Sequence, residues 1–305
     1  MELVAPLHLT PSPPPPVRQG HRLGRPVRRD HLNTSPRSSR HAPCSGDRRD
    51  IGHRQRLRRP TGSGHDLILV ARTRHHLERQ AEVLRHRTVV RVEMLPADLS
   101  TTEGCRLVEH RLTTREPVDL LVNNAGIMLN KPFPQNDITA EELVLNVNVR
   151  AVLRLTHAVL PGMVGRGEGR VINVASFSAF GPGGLATTYP ASKSWVLAFT
   201  ESMSRSAQVR NSGVRVMALL PGFTKTEIFD RSGIDPLNLP RWMWLRADQV
   251  VAAALRDLDR GRTVSVPSVR YKVAVWGLRH LPRPLIRPFS WDFSSPSRMR
   301  TGGAK

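Results

Sequence analysis

From Asp66 onward, apolar and polar positions alternate between two periods. Leu67-Ile68-Leu69-Val70-Ala71 is a continuous apolar run suited to a strand buried on both faces, and it leads into His76–Arg85, where Leu77, Ala81 and Leu84 recur at helical spacing. Val89–Leu95 reads as a second strand, followed by a helical stretch around Gly104–Thr113. Val118–Val122 reads as a third strand, ending in Asn123-Asn124-Ala125-Gly126. A long helix is predicted over about Ala140–Met163, then a strand over Arg170–Ala175, a helix from Tyr189 to about Val209 and a fifth strand over Val214–Leu220. Beyond Pro221-Gly222, the stretch 222–245 carries Phe229, Trp242 and Trp244 and reads as a substrate lid or as a surface loop with anchoring aromatics. Asp248–Leu258 is predicted helical and Thr263–Val266 a last strand. Strand and helix alternate throughout, which predicts an α/β domain with a parallel sheet covered on both faces, whose ligands bind at the carboxyl ends of the strands.

Composition changes the picture at the two ends. The chain of 305 residues carries a net charge of +21, but residues 1–62 hold 13 Arg, no Lys and only four acidic residues. Ten of the 25 prolines also lie there, and no Phe, Trp or Tyr. Such a segment cannot bury enough apolar surface to offset chain entropy and is expected to be disordered. Residues 267–305 form a basic, partly apolar tail, which packs on the domain or a second subunit, or touches a membrane surface as a basic amphipathic helix. Two cysteines, Cys44 and Cys105, rule out a disulfide framework and any CxxC metal site. With no signal-type start and no uncharged apolar run near the length of a spanning helix, the expected setting is cytoplasmic, with membrane association through the tail as the alternative.

The chemistry lies at the strand ends. Tyr189 and Lys193 are four apart at the start of a helix and share one face. An ammonium beside a phenol favours the phenolate, so the pair can give and take a proton near neutrality. Ser176 closes a strand thirteen residues earlier, Asn148 lies within the preceding helix, and Asn123-Asn124-Ala125-Gly126 and Pro221-Gly222-Phe223-Thr224 each follow a strand. In this order and spacing these residues resemble the short-chain dehydrogenase/reductase family, over about Gly64 to Val266 and most strongly from Asp119 to Thr226.

The resemblance implies a single domain of Rossmann type, a doubly wound parallel sheet over residues 63–266, and hydride transfer between a nicotinamide cofactor and a carbonyl carbon. Tyr189 would be the acid/base, and Ser176 would hydrogen-bond the carbonyl or alcohol oxygen. Lys193 would lower the tyrosine pKa and hold the nicotinamide ribose, and Asn148 would anchor a water in the proton relay. Asn124, Ala125 and Gly126 would pass the adenosine ribose, Asp98 and Leu99 would border the adenine, and Pro221, Gly222 and Thr224 would meet the nicotinamide. At the end of the Leu67–Ala71 strand the chain reads Arg72-Thr73-Arg74 with nothing acidic in the sequence nearby. Arginine forks there suit a 2′-phosphate, so NADP(H) is favoured over NAD(H). A homodimer or homotetramer, paired through the helices at about Ala140–Met163 and Tyr189–Val209, is expected by resemblance alone.

The resemblance fails where the family has an apolar strand, a Thr-Gly-x-x-x-Gly-x-Gly turn and an apolar helix receiving the pyrophosphate. Arg37–Pro43 is no buried strand, and Ser45–Gly52 keeps two of three glycines with Asp50 in place of the middle one. His53–Arg59 has Leu57 as its only apolar residue. Arg outnumbers Lys 41 to 5, as in a GC-rich gene, where Arg codons of the CGC type read one base later become Ala codons. Translation of residues 1–62 out of frame, or from a wrong start, accounts for both the missing loop and the charge. Three readings follow: an NADP(H)-dependent oxidoreductase acting on a small hydrophobic alcohol or ketone; a cofactor-impaired member kept for binding or without function; and a nucleic-acid binder using the basic arm. The last is weakest, because the arm has no aromatic residue to stack on bases.

Overall fold

The computed structural model describes residues 66–87, 90–181, 187–224 and 240–282. The chain divides into two compact units, and every described residue belongs to the one containing residues 64–305. The predicted disorder of residues 1–62 and most of the predicted 222–245 lid lie outside the described residues.

The elements run β1 (Leu67–Ala71), α1 (Arg74–Arg87), β2 (Val92–Pro96), α2 (Thr102–Thr114), β3 (Leu120–Asn123) and α3 (Ile138–Leu145). They continue through a π turn (Asn146–Arg150), α4 (Ala151–Arg166), β4 (Arg170–Val174), α5 (Thr188–Arg205), α6 (Ala207–Arg210) and β5 (Arg215–Leu219). The last are α7 (Ala247–Asp259), β6 (Val264–Ser265) and α8 (Val269–His280). The predicted alternation holds, with boundaries moved by a few residues. The long helix over 140–163 begins earlier and contains a π turn, and the helix from Tyr189 ends at Arg205, with Ser206 capping the short α6.

Among the described residues every strand pairing is parallel, in the orders β1-β2 and β3-β4-β5-β6. The doubly wound order 3-2-1-4-5-6 places a first strand between its second and fourth. Set against that order, β1 and β3 are the strands that would flank it, and among the described residues each pairs on one side only. One core nevertheless spans both groups: Val70 of β1, Leu121 of β3, Cys105 and Val108 of α2, and Leu155 and Val159 of α4 share a buried cluster. A second core joins β4 and β5 to α5, α7 and α8, and a third joins β1 and β2 to α1 through Leu77, Ala81 and Leu84.

Ile138–Arg166 is long and apolar enough to cross a membrane by length and composition. One side of it is committed to the cores, where Val144, Val147, Val152, Leu155, Val159 and Met163 are buried, while Ile138, Leu143, Leu145 and Leu153 are exposed. Its polar residues are also engaged: the Arg154 guanidinium bonds the Glu109 carboxylate at 2.7 Å, and Thr156 accepts from a strand amide.

A buried amide ladder fastens α4 and α5 to the sheet. Asn123 and Asn173 are register partners across β3 and β4. Asn123 Nδ2 donates to Asn173 Oδ1 at 2.8 Å and to Thr156 Oγ1 of α4 at 3.1 Å. Asn173 Nδ2 donates to Thr200 Oγ1 of α5 at 3.0 Å. All four side chains are buried, so each bond replaces water that cannot enter. Removing the middle member should therefore cost the unsatisfied partners as well as the bonds. Asn173→Val is expected to lower unfolding free energy by about 3 kcal/mol or more in urea titration; an unchanged midpoint would show that the ladder is not holding the helices.

Candidate active site

Asn148 sits in the π turn and is fully buried. Its Oδ1 accepts from Ile127 N at 2.9 Å, while its Nδ2 donates to Ile127 O and to Ser192 Oγ, both at 3.0 Å. One side chain thus joins the segment after β3, the interrupted helix and α5. The widened turn presents Asn148 to two elements at once, a frequent use of π turns.

Ser176 follows β4 as the cap of the 3-10 turn Phe177–Phe180. Its Oγ accepts from Ser178 N at 3.2 Å and from Ser178 Oγ at 2.9 Å. Tyr189 stands in the first turn of α5, capped by Thr187, whose Oγ1 accepts from Tyr189 N at 3.2 Å. Burial pushes the Tyr189 phenol above its ordinary pKa, and a hydrogen bond with Ser176 opposes that rise. Lys193 lies one turn on, 4% exposed, with Nζ donating to Val174 O at 2.9 Å. Burial lowers its pKa to about 8. The ammonium lies over the Tyr189 ring, 5.8 Å from its centroid, and desolvation is the larger influence on the phenol.

Gly126 closes the same site. A Cβ there would stand 3.3 Å from Lys193 Nζ and 3.4 Å from Asn148 Oδ1, tighter than most side chains tolerate. Asn124 and Ala125 precede it directly after β3, with Ala125 buried. The structure thus brings Asn148, Ser176, Tyr189, Lys193 and Gly126 together.

Pro221, Gly222 and Thr224 form the turn after β5. Pro221 O accepts from Phe177 N at 3.2 Å, which places this turn beside Ser176. Arg72 and Arg74 sit at the carboxyl end of β1, both exposed, and Asp98 and Leu99 at the carboxyl end of β2. Leu99 is buried, so its side chain serves the core. Asp98 accepts from Ser100 N at 2.9 Å and from Ser100 Oγ at 2.7 Å. Those bonds and the charge of Arg72 hold its carboxyl below the ordinary value despite burial. The sequence shows nothing acidic near Arg72, but the fold brings this carboxylate within its electrostatic reach.

Sequence reasoning missed three supports. Glu141 of α3 is buried, and its Oε2 accepts from Thr188 N at 3.0 Å and Thr188 Oγ1 at 2.6 Å, which fixes the start of α5 just before Tyr189. Its signal was a carboxylate at an apolar helix position. Ser192 relays Asn148 to the Tyr189 carbonyl at 2.6 Å. Tyr271 of α8 presses its ring on Gly222, where a Cβ would approach to 2.1 Å. Its hydroxyl accepts from Phe223 N at 3.0 Å and donates to Met243 O at 2.7 Å. No spacing rule links Tyr271 to a turn 48 residues away.

The residues present fit the nicotinamide end of a dinucleotide. Lys193 is a buried ammonium with three donors and one acceptor, the Val174 carbonyl, found for it among the described residues. It would hold ribose hydroxyls, Gly126 leaves room beside it, and the Pro221–Thr224 turn borders the same space. The part of the chain that would receive the pyrophosphate lies outside the described residues.

Comparison with known proteins agrees with this architecture. The short chain dehydrogenase family model matches residues 45–235, and the chain belongs to that family. A solved short-chain dehydrogenase from Sphingobium yanoikuyae, in complex with NADPH, is 35% identical, with a TM-score of 0.64 over 69% of this chain and 82% of its own. The bulky-bulky ketone specific alcohol dehydrogenase from Comamonas testosteroni is 26% identical, with a TM-score of 0.60 over 79% of this chain and 88% of its own. Among sequence relatives, an uncharacterized oxidoreductase of Staphylococcus saprophyticus is 31% identical over 54% of this chain and 70% of its own length. The very-long-chain 3-oxoacyl-CoA reductase-B of Danio rerio is 28% identical over 54% of this chain, and the match spans 53% of that protein.

Two measurements check the site. Because the folded Lys193 pKa lies below its unfolded value of 10.5, the unfolded chain binds more protons above about pH 8, and folding stability should rise with pH there. The expected gain is roughly 1 kcal/mol between about pH 7 and pH 9, absent in Lys193→Met; a flat profile in the parent would contradict the buried, uncompensated ammonium. Tyr271→Phe should keep the fold but loosen the Pro221–Thr224 turn, raising KM for the nicotinamide cofactor more than it lowers kcat. Unchanged KM would show that the hydroxyl is not positioning that turn.

Proposed function

We propose that the protein is an NADP(H)-dependent oxidoreductase interconverting a hydrophobic alcohol and ketone, with Tyr189 as acid/base. The observation that carries this reading is the convergence of Ser176, Tyr189, Lys193 and Asn148 at the carboxyl ends of β3 and β4, with Ser176 close enough to influence the phenol. The bound nicotinamide supplies or accepts the hydride. In reduction, the raised pKa keeps Tyr189 protonated near neutrality, so the phenol can give its proton to the alkoxide oxygen as it forms. Ser176 orients that oxygen. Lys193 offsets the charge left on the phenolate, and Asn148, held on three sides, keeps α5 in register with the segment after β3.

A hydrophobic substrate is supported by the ring cluster beside Ser176. Phe177 packs against Phe223 and Tyr271, each at 5.3 Å between centroids, and Phe223 lies 6.3 Å from Trp244. The ketone and acyl substrates named for the Comamonas and Danio relatives point the same way. NADP(H) is favoured by Arg72 and Arg74 and by the NADPH bound to the Sphingobium relative. Assembly as a homodimer or homotetramer is supported by Leu143, Leu145 and Leu153, exposed along α3 and α4.

The cofactor-impaired reading is favoured by one observation of the sequence: Ser45–Gly52 carries Asp50 in place of the middle glycine, with no apolar strand ahead of it. The out-of-frame account of residues 1–62 belongs with this reading, and nucleotide sequence with no alternative apolar frame ahead of Ser63 would remove it.

Titration with NADPH and NADH, followed by nicotinamide fluorescence, separates the two readings. The enzyme reading expects NADPH to bind more tightly, with the preference reduced about tenfold or more by Arg72→Ala with Arg74→Ala. No binding at high cofactor concentration would defeat it. Tyr189→Phe should abolish ketone reduction while cofactor binding persists, and the parent's rate should fall as pH rises through about 8, where Lys193 loses its proton. Retained turnover in Tyr189→Phe would show that another group is the acid.

A further inference from the structure

We propose that α8 is a docking face for a bilayer carrying anionic headgroups. Tyr271, Val275 and Leu278 point its packed side into the domain: Tyr271 and Val275 join the second core, and Leu278 lies 3.2 Å from where a Gly181 Cβ would stand. The opposite side is apolar where a solvated helix would be polar. Val269, Val273 and Trp276 are 75%, 64% and 58% exposed, and Trp276 stacks on His280, all at successive helical spacings on one stripe. At 3.6 residues per turn, Arg270 falls on one flank of that stripe and Lys272 and Arg279 on the other, and all three are exposed. An exposed apolar stripe with tryptophan, bordered by cations, is the pattern of a helix lying in a lipid interface.

Charge selects among occupants. From Arg260 through Trp291 the sequence has no Asp or Glu and seven Lys or Arg. A second copy docking α8 on α8 by two-fold symmetry would set Arg270, Lys272 and Arg279 against their counterparts, whereas anionic headgroups neutralise them. The sequence after Leu281 continues the composition, with Leu285, Ile286, Phe289 and Trp291 interspersed with Arg283 and Arg287.

The helix also lies across the substrate side of the domain. Its N-terminal half holds the turn after β5 through Tyr271, and its C-terminal half covers the turn after β4, with Arg279 5.9 Å from the Phe180 ring centroid. A docked α8 would turn the region around Ser176 toward the membrane, a route by which an apolar substrate can arrive from lipid. That last consequence rests on the proposed function; the docking itself does not.

Flotation of the full chain with vesicles of phosphatidylcholine, or of phosphatidylcholine mixed with phosphatidylglycerol, tests the docking without cofactor or substrate. The parent is expected to float with the mixed vesicles. Arg270→Gln with Lys272→Gln should lower partitioning about tenfold or more, and Val273→Glu with Trp276→Glu should lower it at least as far. Parent and variants carry the same Arg-rich first 62 residues, so that segment cancels from the comparison. Brominated phospholipid should quench parent fluorescence, and the quenching should fall in the conservative variant Trp276→Phe. Partitioning unchanged in both double variants, quenching unchanged in Trp276→Phe, or a solution dimer that dissociates in Trp276→Phe while vesicles are ignored would each overturn the proposal.

Discussion

The buried amide of Asn148 is the point on which the site depends. Its carbonyl and amino groups are satisfied by both backbone groups of Ile127 and by Ser192, so it can rest in the interior only while those three groups stay in place. That requirement fixes the segment after β3 against α5, and α5 carries Tyr189 and Lys193. The cost of leaving any of these groups unpaired makes the arrangement specific as well as stable. The same logic recurs one layer down, where Asn123, Asn173, Thr156 and Thr200 bind α4 and α5 to adjacent strands. Polar groups in the core hold Tyr189 and Lys193 on rigid elements.

Lys193 introduces tension into this well-satisfied interior. A buried ammonium with, among the described residues, a single carbonyl partner opposes folding, and its lowered pKa records that opposition. A structural lysine would be paired with a carboxylate. An unpaired one fits a role completed only when ribose hydroxyls and a phenolate are beside it, and stability given up at a site of chemistry is a common arrangement.

Much of this was legible in the sequence. The apolar run 67–71 and the spacing of Leu77, Ala81 and Leu84 predicted β1 and α1, because the period of burial is set by element geometry. Tyr189, Lys193, Ser176 and Asn148 were legible through spacing and order. What stayed hidden depends on contacts between distant segments. Glu141 reads as an ordinary helix carboxylate until Thr188 is placed against it, and Tyr271 reads as part of a tail until its hydroxyl meets Phe223 and Met243. The net direction of the Tyr189 pKa was hidden for a related reason: proximity to Lys193 follows from spacing, but burial, the larger influence on the phenol, does not. The charge of +21 is likewise unevenly placed: +9 lies in the Arg-rich residues 1–62, and Arg72, Arg74 and the cationic flanks of α8 supply part of the remainder.

In the proposed function, Tyr189 and its neighbours serve hydride transfer to a carbonyl carbon. Incubating the protein with NADPH deuterated at the transferring position of C4, together with a panel of aryl and long-chain ketones, tests this directly by mass spectrometry of the alcohols. The account predicts deuterium on the carbinol carbon with the parent chain and none with Tyr189→Phe. Bound cofactor with no deuterium in any alcohol, or equal incorporation by both chains, would contradict it.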